Sequence, residues 1–161
     1  MKPKLWAGMA VFAVCLLVQP AAAGDYEDGF TAARSGDYET AIRLWKPLAE
    51  QGVAAAQNYL GVMYDIGDGV PQDYAEAVKW YRKAAEQGNA DAQNNLGFEY
   101  EWGRGVLLDL LQAHMWFNLA ATNGEANVIK YNDRVAKRMT PGQIAEAERM
   151  AREWVAAHAK K

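Results

Sequence analysis

The side chains best suited to nucleophilic, acid–base or metal chemistry are few: two histidines, His114 and His158, one serine, Ser35, one cysteine, Cys15, and the carboxylates. The histidines do not share a metal-ligand spacing such as His-Glu-x-x-His, so a zinc site has no starting point. His114 precedes Met115 and Trp116 in an apolar stretch, which favours a packed, structural histidine. A Ser-His-Asp arrangement would have to be assembled around Ser35, which stands beside Gly36 in a turn without a nucleophile-elbow sequence. Asp65-Ile66-Gly67-Asp68-Gly69 superficially suggests a calcium loop, but it has neither the ligand alternation nor the distal glutamate of one. Gly67-x-Gly69 is no phosphate cradle, because it has no Gly-Lys-Ser/Thr ending. Glu99 and Glu101 are two apart on a predicted helix and should diverge. The sequence therefore gives no catalytic residue, cofactor site or metal site, and the expectation is of a protein that is not an enzyme.

The elements that would position any functional side chain are set by an internal repeat. Gln57 to Gly88 lies on Gln93 to Gly124 at a constant offset of 36 residues. Under that offset Leu60, Gly61, Tyr64, Gly67, Gly69, Val70, Asp73, Ala77, Trp80, Ala84, Ala85 and Gly88 recur identically. The stretches 54–66 and 90–102 carry apolar residues at helical spacings of three and four, as do 73–86 and 109–122. A glycine inside a helix costs about 1 kcal/mol relative to alanine, so Gly61 and Gly97 are expected where a neighbouring helix leaves no room for a Cβ. Gly88 and Gly124 end their helices in left-handed caps, and Asp73 caps the helix that follows the glycine-rich turn.

Ala-x-x-x-Leu-Gly-x-x-Tyr, then Gly-x-Gly-Val-Pro-x-Asp, then Ala-x-x-Trp-Tyr-x-x-Ala-Ala-x-x-Gly resembles the Sel1-like repeat. The second unit departs from the pattern at Leu107, where the first has Pro71. Gly29, Gly36, Tyr38, Ala41, Trp45, Leu48 and Gly52 resemble a shorter helix pair, closer to the tetratricopeptide pattern. The resemblance implies an all-α fold, an α/α solenoid: a right-handed superhelix of Sel1-like and TPR-like helix pairs with a C-terminal capping helix. The expected organisation is a signal peptide over 1–23, the TPR-like pair over 24–52, Sel1-like repeats over 53–88 and 89–124, and capping helices over 125–161. In the last segment Thr140-Pro141-Gly142-Gln143 reads as a capping box opening the final helix, with Ile144, Ala147, Met150 and Trp154 inward. Some proteins with this repeat resemble hydrolases of β-lactam compounds, but those are cysteine-rich.

In such a solenoid the first helices of successive pairs line the concave side, where ligands lie. With Leu60, Gly61 and Tyr64 turned to the core, Asn58, Val62 and Asp65 are expected in the concavity, and one repeat on Asn94, Phe98 and Glu101. Phe30 would join them from the first pair. Asn58 and Asn94 could hold an extended peptide backbone through their amides, or could merely hydrogen-bond the repeat framework. Phe98 and Trp102 would be apolar anchors, and Asp65 and Glu101 would favour a basic segment. The apolar run Val106-Leu107-Leu108-Asp109-Leu110-Leu111 has two readings, packing beneath the C-terminal helices, which is preferred, or an exposed contact patch.

Composition bounds the partner and the compartment. Residues 24–129 hold 7 basic and 16 acidic residues and 130–161 hold 8 and 4, so the body repels phosphate backbones and nucleic acid is not an expected partner. Lys2 and Lys4, an apolar run from Leu5 to Val18, Pro20 and then Ala21-Ala22-Ala23 follow the order of a secretory signal peptide, cleaved after Ala23. That run of 14 residues is shorter than the roughly 20 of a bilayer span, so stable membrane insertion after cleavage is not expected. The residue before Cys15 is not the small one of a lipoprotein signal, and the mature chain would contain no cysteine for a disulfide. The expectation is a periplasmic or secreted adaptor or regulator that binds another protein, with a structural spacer as the alternative.

Overall fold

The computed structural model describes residues 21–124 and 128–158, which form eight helices and, among the described residues, no strand. In order they are α1 (Ala21–Arg34), α2 (Tyr38–Glu50), α3 (Ala54–Ile66), α4 (Tyr74–Ala85), α5 (Ala90–Trp102), α6 (Leu110–Thr122), α7 (Ile129–Ala136) and α8 (Pro141–His158). Each helix packs on the one after it through α6, and α6 also receives α7 and α8. This is the expected α/α solenoid, with α1, α3 and α5 forming one layer and α2, α4 and α6 the other. The expected leader lies mostly outside the described residues, and its expected cleavage point falls in the first turn of α1.

The repeat glycines explain how the layers meet. A Cβ on Gly61 would stand 2.5 Å from the Tyr81 ring, and one on Gly97 would stand 2.6 Å from the Phe117 ring. Gly29 stands in the same relation to Trp45, so one aromatic per pair is seated directly on a glycine backbone. Trp45, Tyr81 and Phe117 keep the 36-residue spacing, whereas Gly29 precedes Gly61 by only 32 because the first turn is shortened. Burying these rings supplies much of the core, since each aromatic removes on the order of 150–250 Å² from water.

Side-chain hydrogen bonds staple successive pairs. Gln57 Nε2 donates to the Ala49 carbonyl at 2.9 Å, and Gln93 Nε2 donates to the Ala85 carbonyl at 3.1 Å. Each thereby adds a second donor to a helix-end carbonyl that already accepts from the amide of Gly52 or Gly88. The turns are equally regular: Asp73 Oδ1 accepts from the Glu76 amide, and Asp109 Oδ1 accepts from those of Leu111 and Gln112. Thr140 and Gln143 exchange amide hydrogen bonds at the head of α8, which buries Ala147 and Ala151 and keeps Arg149, Arg152 and Glu153 in solvent.

The preferred reading of the apolar run holds only in part: Val106 and Leu110 are half-buried against clusters that include α8 and α7 side chains, but Leu107 and Leu108 are not covered. Leu107 is 90% exposed and Leu108 is 55% exposed. They occupy the turn positions of Pro71 and Gln72, which are exposed as well, so neither the repeat nor α7 and α8 cover them.

Candidate functional site

Neighbouring first-layer helices meet through two different stripes. On its trailing side, Tyr59 of α3 stacks on Trp45 at 4.8 Å between ring centroids and packs edge-on to Phe30 at 5.9 Å, both in the preceding pair. On its leading side, Asn58 Oδ1 accepts from Asn95 Nδ2 of α5 at 3.1 Å. The same division holds one repeat later. Asn95 looks back to α3, while Phe98 and Glu101 look forward to α7, where Phe98 meets Tyr131 at 4.7 Å and Glu101 accepts from Arg134 Nε at 2.9 Å.

These contacts correct part of the expected site. Asn58 and Glu101 are buried, at 6% and 3% exposure, and belong to the seams between neighbouring first-layer helices and α7. Asn94 holds the seam position facing α7, and its Oδ1 is buried with no partner among the described residues. Asp65 lies 3.4 Å from Arg104 and accepts a long hydrogen bond from the Tyr81 hydroxyl, so it too is engaged within the framework. A basic segment would find neither carboxylate free: Glu101 carries Arg134 and Arg138, and Asp65 shares Arg104 with Glu99. The asparagines hydrogen-bond or line the repeat framework instead of forming a ladder open to a peptide.

The open strip lies between the two seams. At about 100° per residue, Val62 and Ile66 fall between the directions of Asn58 and Tyr59 and opposite the side that meets α4. Phe98 and Trp102 take the same positions on α5, Phe30 and Arg34 on α1, and Arg134 and Arg138 on α7. Of the expected residues, Trp102 is exposed on this side, and Phe30, Val62 and Phe98 are half-buried along it, packed against the core clusters. Ile66, 54% exposed, and the arginines at positions 34, 134 and 138 were missed. The 36-residue offset between Ile66 and Trp102 was the available signal for Ile66.

Trp102 is 49% exposed and stacks on Phe98 at 4.8 Å, with the Arg104 guanidinium 4.6 Å from its ring centre. Beneath it, Glu99 is fully buried and paired with Arg104 while its Oε2 has no partner among the described residues. Loss of hydration pushes its carboxyl up to about 7 even though Arg104 favours the charged form. Burial likewise raises the Tyr81 hydroxyl and lowers His114. His114 Nδ1 is bonded to Asn118, and the Ser35 hydroxyl donates to the Ala32 carbonyl, so nothing brings these two residues together as nucleophile and base. Among the described residues no group of His, Cys, Asp and Glu has the geometry of a metal site, and no helix is long and apolar enough to cross a membrane.

Comparison with known proteins agrees with this architecture. A family model of the Sel1 repeat matches residues 21–53, 54–89 and 90–125. The first pair is therefore a third Sel1 repeat with a shortened turn, where the sequence alone pointed nearer to the tetratricopeptide pattern. A protective antigen of uropathogenic Escherichia coli displaying an SLR fold is 32% identical, with a TM-score of 0.80 over 84% of this chain and 30% of that one. A Sel1 repeat protein from Oxalobacter formigenes is also 32% identical, with a TM-score of 0.65 over 72% of this chain and 51% of that one. The chain thus spans about a third to a half of the length of these two structures. No curated protein matches it.

Proposed function

Because the chain belongs to the Sel1 repeat family, whose fold is generally a protein–protein interaction module, we propose that it is a non-catalytic adaptor or regulator of the bacterial cell envelope. It binds a segment of another protein along the strip formed by Phe30, Val62, Ile66, Phe98 and Trp102. The observation that carries this reading is the half exposure of Ile66 and Trp102 at equivalent positions of successive repeats, on the side of their helices turned away from the second layer. Large apolar side chains repeated on one open face favour an interface over a solvated surface. The leader-like sequence before Gly24 supports an exported, periplasmic location.

The test is photo-crosslinking in living cells from position 66, with exposed Arg43 on α2 as the control. A discrete protein adduct from position 66 alone is expected. Equal labelling from both positions, or none from either in a folded and exported chain, refutes the groove. A second reading, a structural spacer, is favoured by the exposure of Leu107 and Leu108; it requires that substitutions there, and not at Ile66, disrupt the chain's assembly.

A further inference from the structure

We infer that the partner segment is acidic and carries bulky apolar side chains, a conclusion that rests on the binding reading above and reverses the charge expected from Asp65 and Glu101. The place is the end of the strip where α7 adjoins α5. Phe98 is stacked on Trp102 at 4.8 Å and meets Tyr131 edge-on at 4.7 Å, which makes a continuous row of three rings. Cations stand over that row. The Arg134 guanidinium lies 5.7 Å from the Phe98 centre and 5.3 Å from that of Tyr131, and Lys130 Nζ lies 4.9 Å from Tyr131.

The balance of charge there is positive. Arg134 and Arg138 both pair with Glu101, whose side chain is 2% exposed while theirs are 45% and 44% exposed. Arg134 and Arg138 therefore share one buried carboxylate and keep outer N–H groups available to solvent, and exposed Lys130 stands one turn before Arg134 on α7. A guanidinium with free N–H donors and a partly dry surround takes carboxylates in preference to neutral acceptors. Trp102 decides what accompanies that charge. Phe98 at 4.8 Å and Arg104 at 4.6 Å each cover part of the indole, and about half of the side chain stays exposed as apolar surface. That remaining apolar surface suits a Leu, Phe or Met side chain of a polypeptide. The occupant that fits is a polypeptide in which Asp or Glu flanks an apolar residue.

The experiment pans a phage library of random dodecapeptides on the immobilised full chain and then measures the enriched peptides by fluorescence anisotropy. The expected result is enrichment of net-negative peptides containing Leu, Phe or Met. Their affinity should fall about tenfold with Trp102→Ser and with Arg138→Gln, and should weaken as salt is raised. Arg134 keeps Glu101 paired in the second variant, and unchanged helicity confirms that both variants fold. Enrichment of neutral or basic peptides, or indifference to both variants, overturns the charge assignment and leaves peptide binding standing. No enrichment at all overturns both.

Discussion

Replacing Gly97 by alanine should destabilise this protein even though alanine is the better helix former. In an open helix interior the change would add about 1 kcal/mol of stability through propensity and the restricted unfolded chain. Here the new methyl would stand 2.6, 2.7 and 3.0 Å from three atoms of the Phe117 ring. Phe117 is fully buried, with Phe98 and Tyr131 against it, Val128 and Val135 in the same apolar cluster and Ala113 and Ala120 one turn away on its own helix, so the ring has nowhere to retreat. Overpacking of this kind costs about 1–3 kcal/mol, and the closed surround puts it at the upper end, for a net loss of about 2 kcal/mol. Urea unfolding followed by circular dichroism reads the difference as a lower midpoint at unchanged slope. Gly142→Ala, in the first turn of α8 with nothing within 4 Å, is the control and should gain up to about 1 kcal/mol. Adding Phe117→Leu to Gly97→Ala should recover part of the loss, giving a coupling energy of opposite sign between the two sites. A Gly97→Ala midpoint at or above that of the parent would refute the claim that the glycine seats the aromatic.

Arg134→Ala should cost about 2 kcal/mol, measured by the same unfolding, because it leaves the buried Glu101 carboxylate with only the longer Arg138 contact at 3.3 Å. Combining it with Glu101→Gln should restore much of that loss. Glu99 is held at about 7 against 4.5 in the free side chain, so the folded chain binds its proton more tightly than the unfolded chain does. Stability from this group is present below pH 4.5 to 5 and is lost as pH rises through 7; Glu99→Gln should flatten that decline in a series of urea midpoints. Leu107→Ser should leave the unfolding free energy within about 0.5 kcal/mol of the parent, since a side chain 90% exposed loses little on truncation. A larger drop would mean that the turn is covered.

The helices from α3 to α6 could be placed from the chain itself because their boundaries are local. Asp73 is the expected N-cap and Gly61 and Gly97 are the expected sites of close approach, while the left-handed C-caps fall on Gly67 and Gly103, and Gly88 and Gly124 take positive φ just beyond the C-caps Glu86 and Asn123. Leu107 shows the limit of that reasoning. An apolar residue in a turn looks like a buried one until the neighbouring elements are known to pass elsewhere.

The sequence by itself determined that the chain is a stack of helix pairs and which residues of each pair meet. Tertiary structure decided how far each first-layer helix is rotated against its neighbours. Adjacent residues such as Asn58 and Tyr59 differ by about 100° around the helix, so one faces the next helix pair and the other the previous one. Periodicity fixes the angles between residues on one helix, but their absolute direction depends on what packs alongside. At the end of the stack that neighbour is α7, which lies outside the repeat, buries Val128 and Val135, and turns Glu101 from an open carboxylate into half of an ion pair. The charge along the strip was therefore set by a contact between residues 33 positions apart, one in the last repeat and one beyond it.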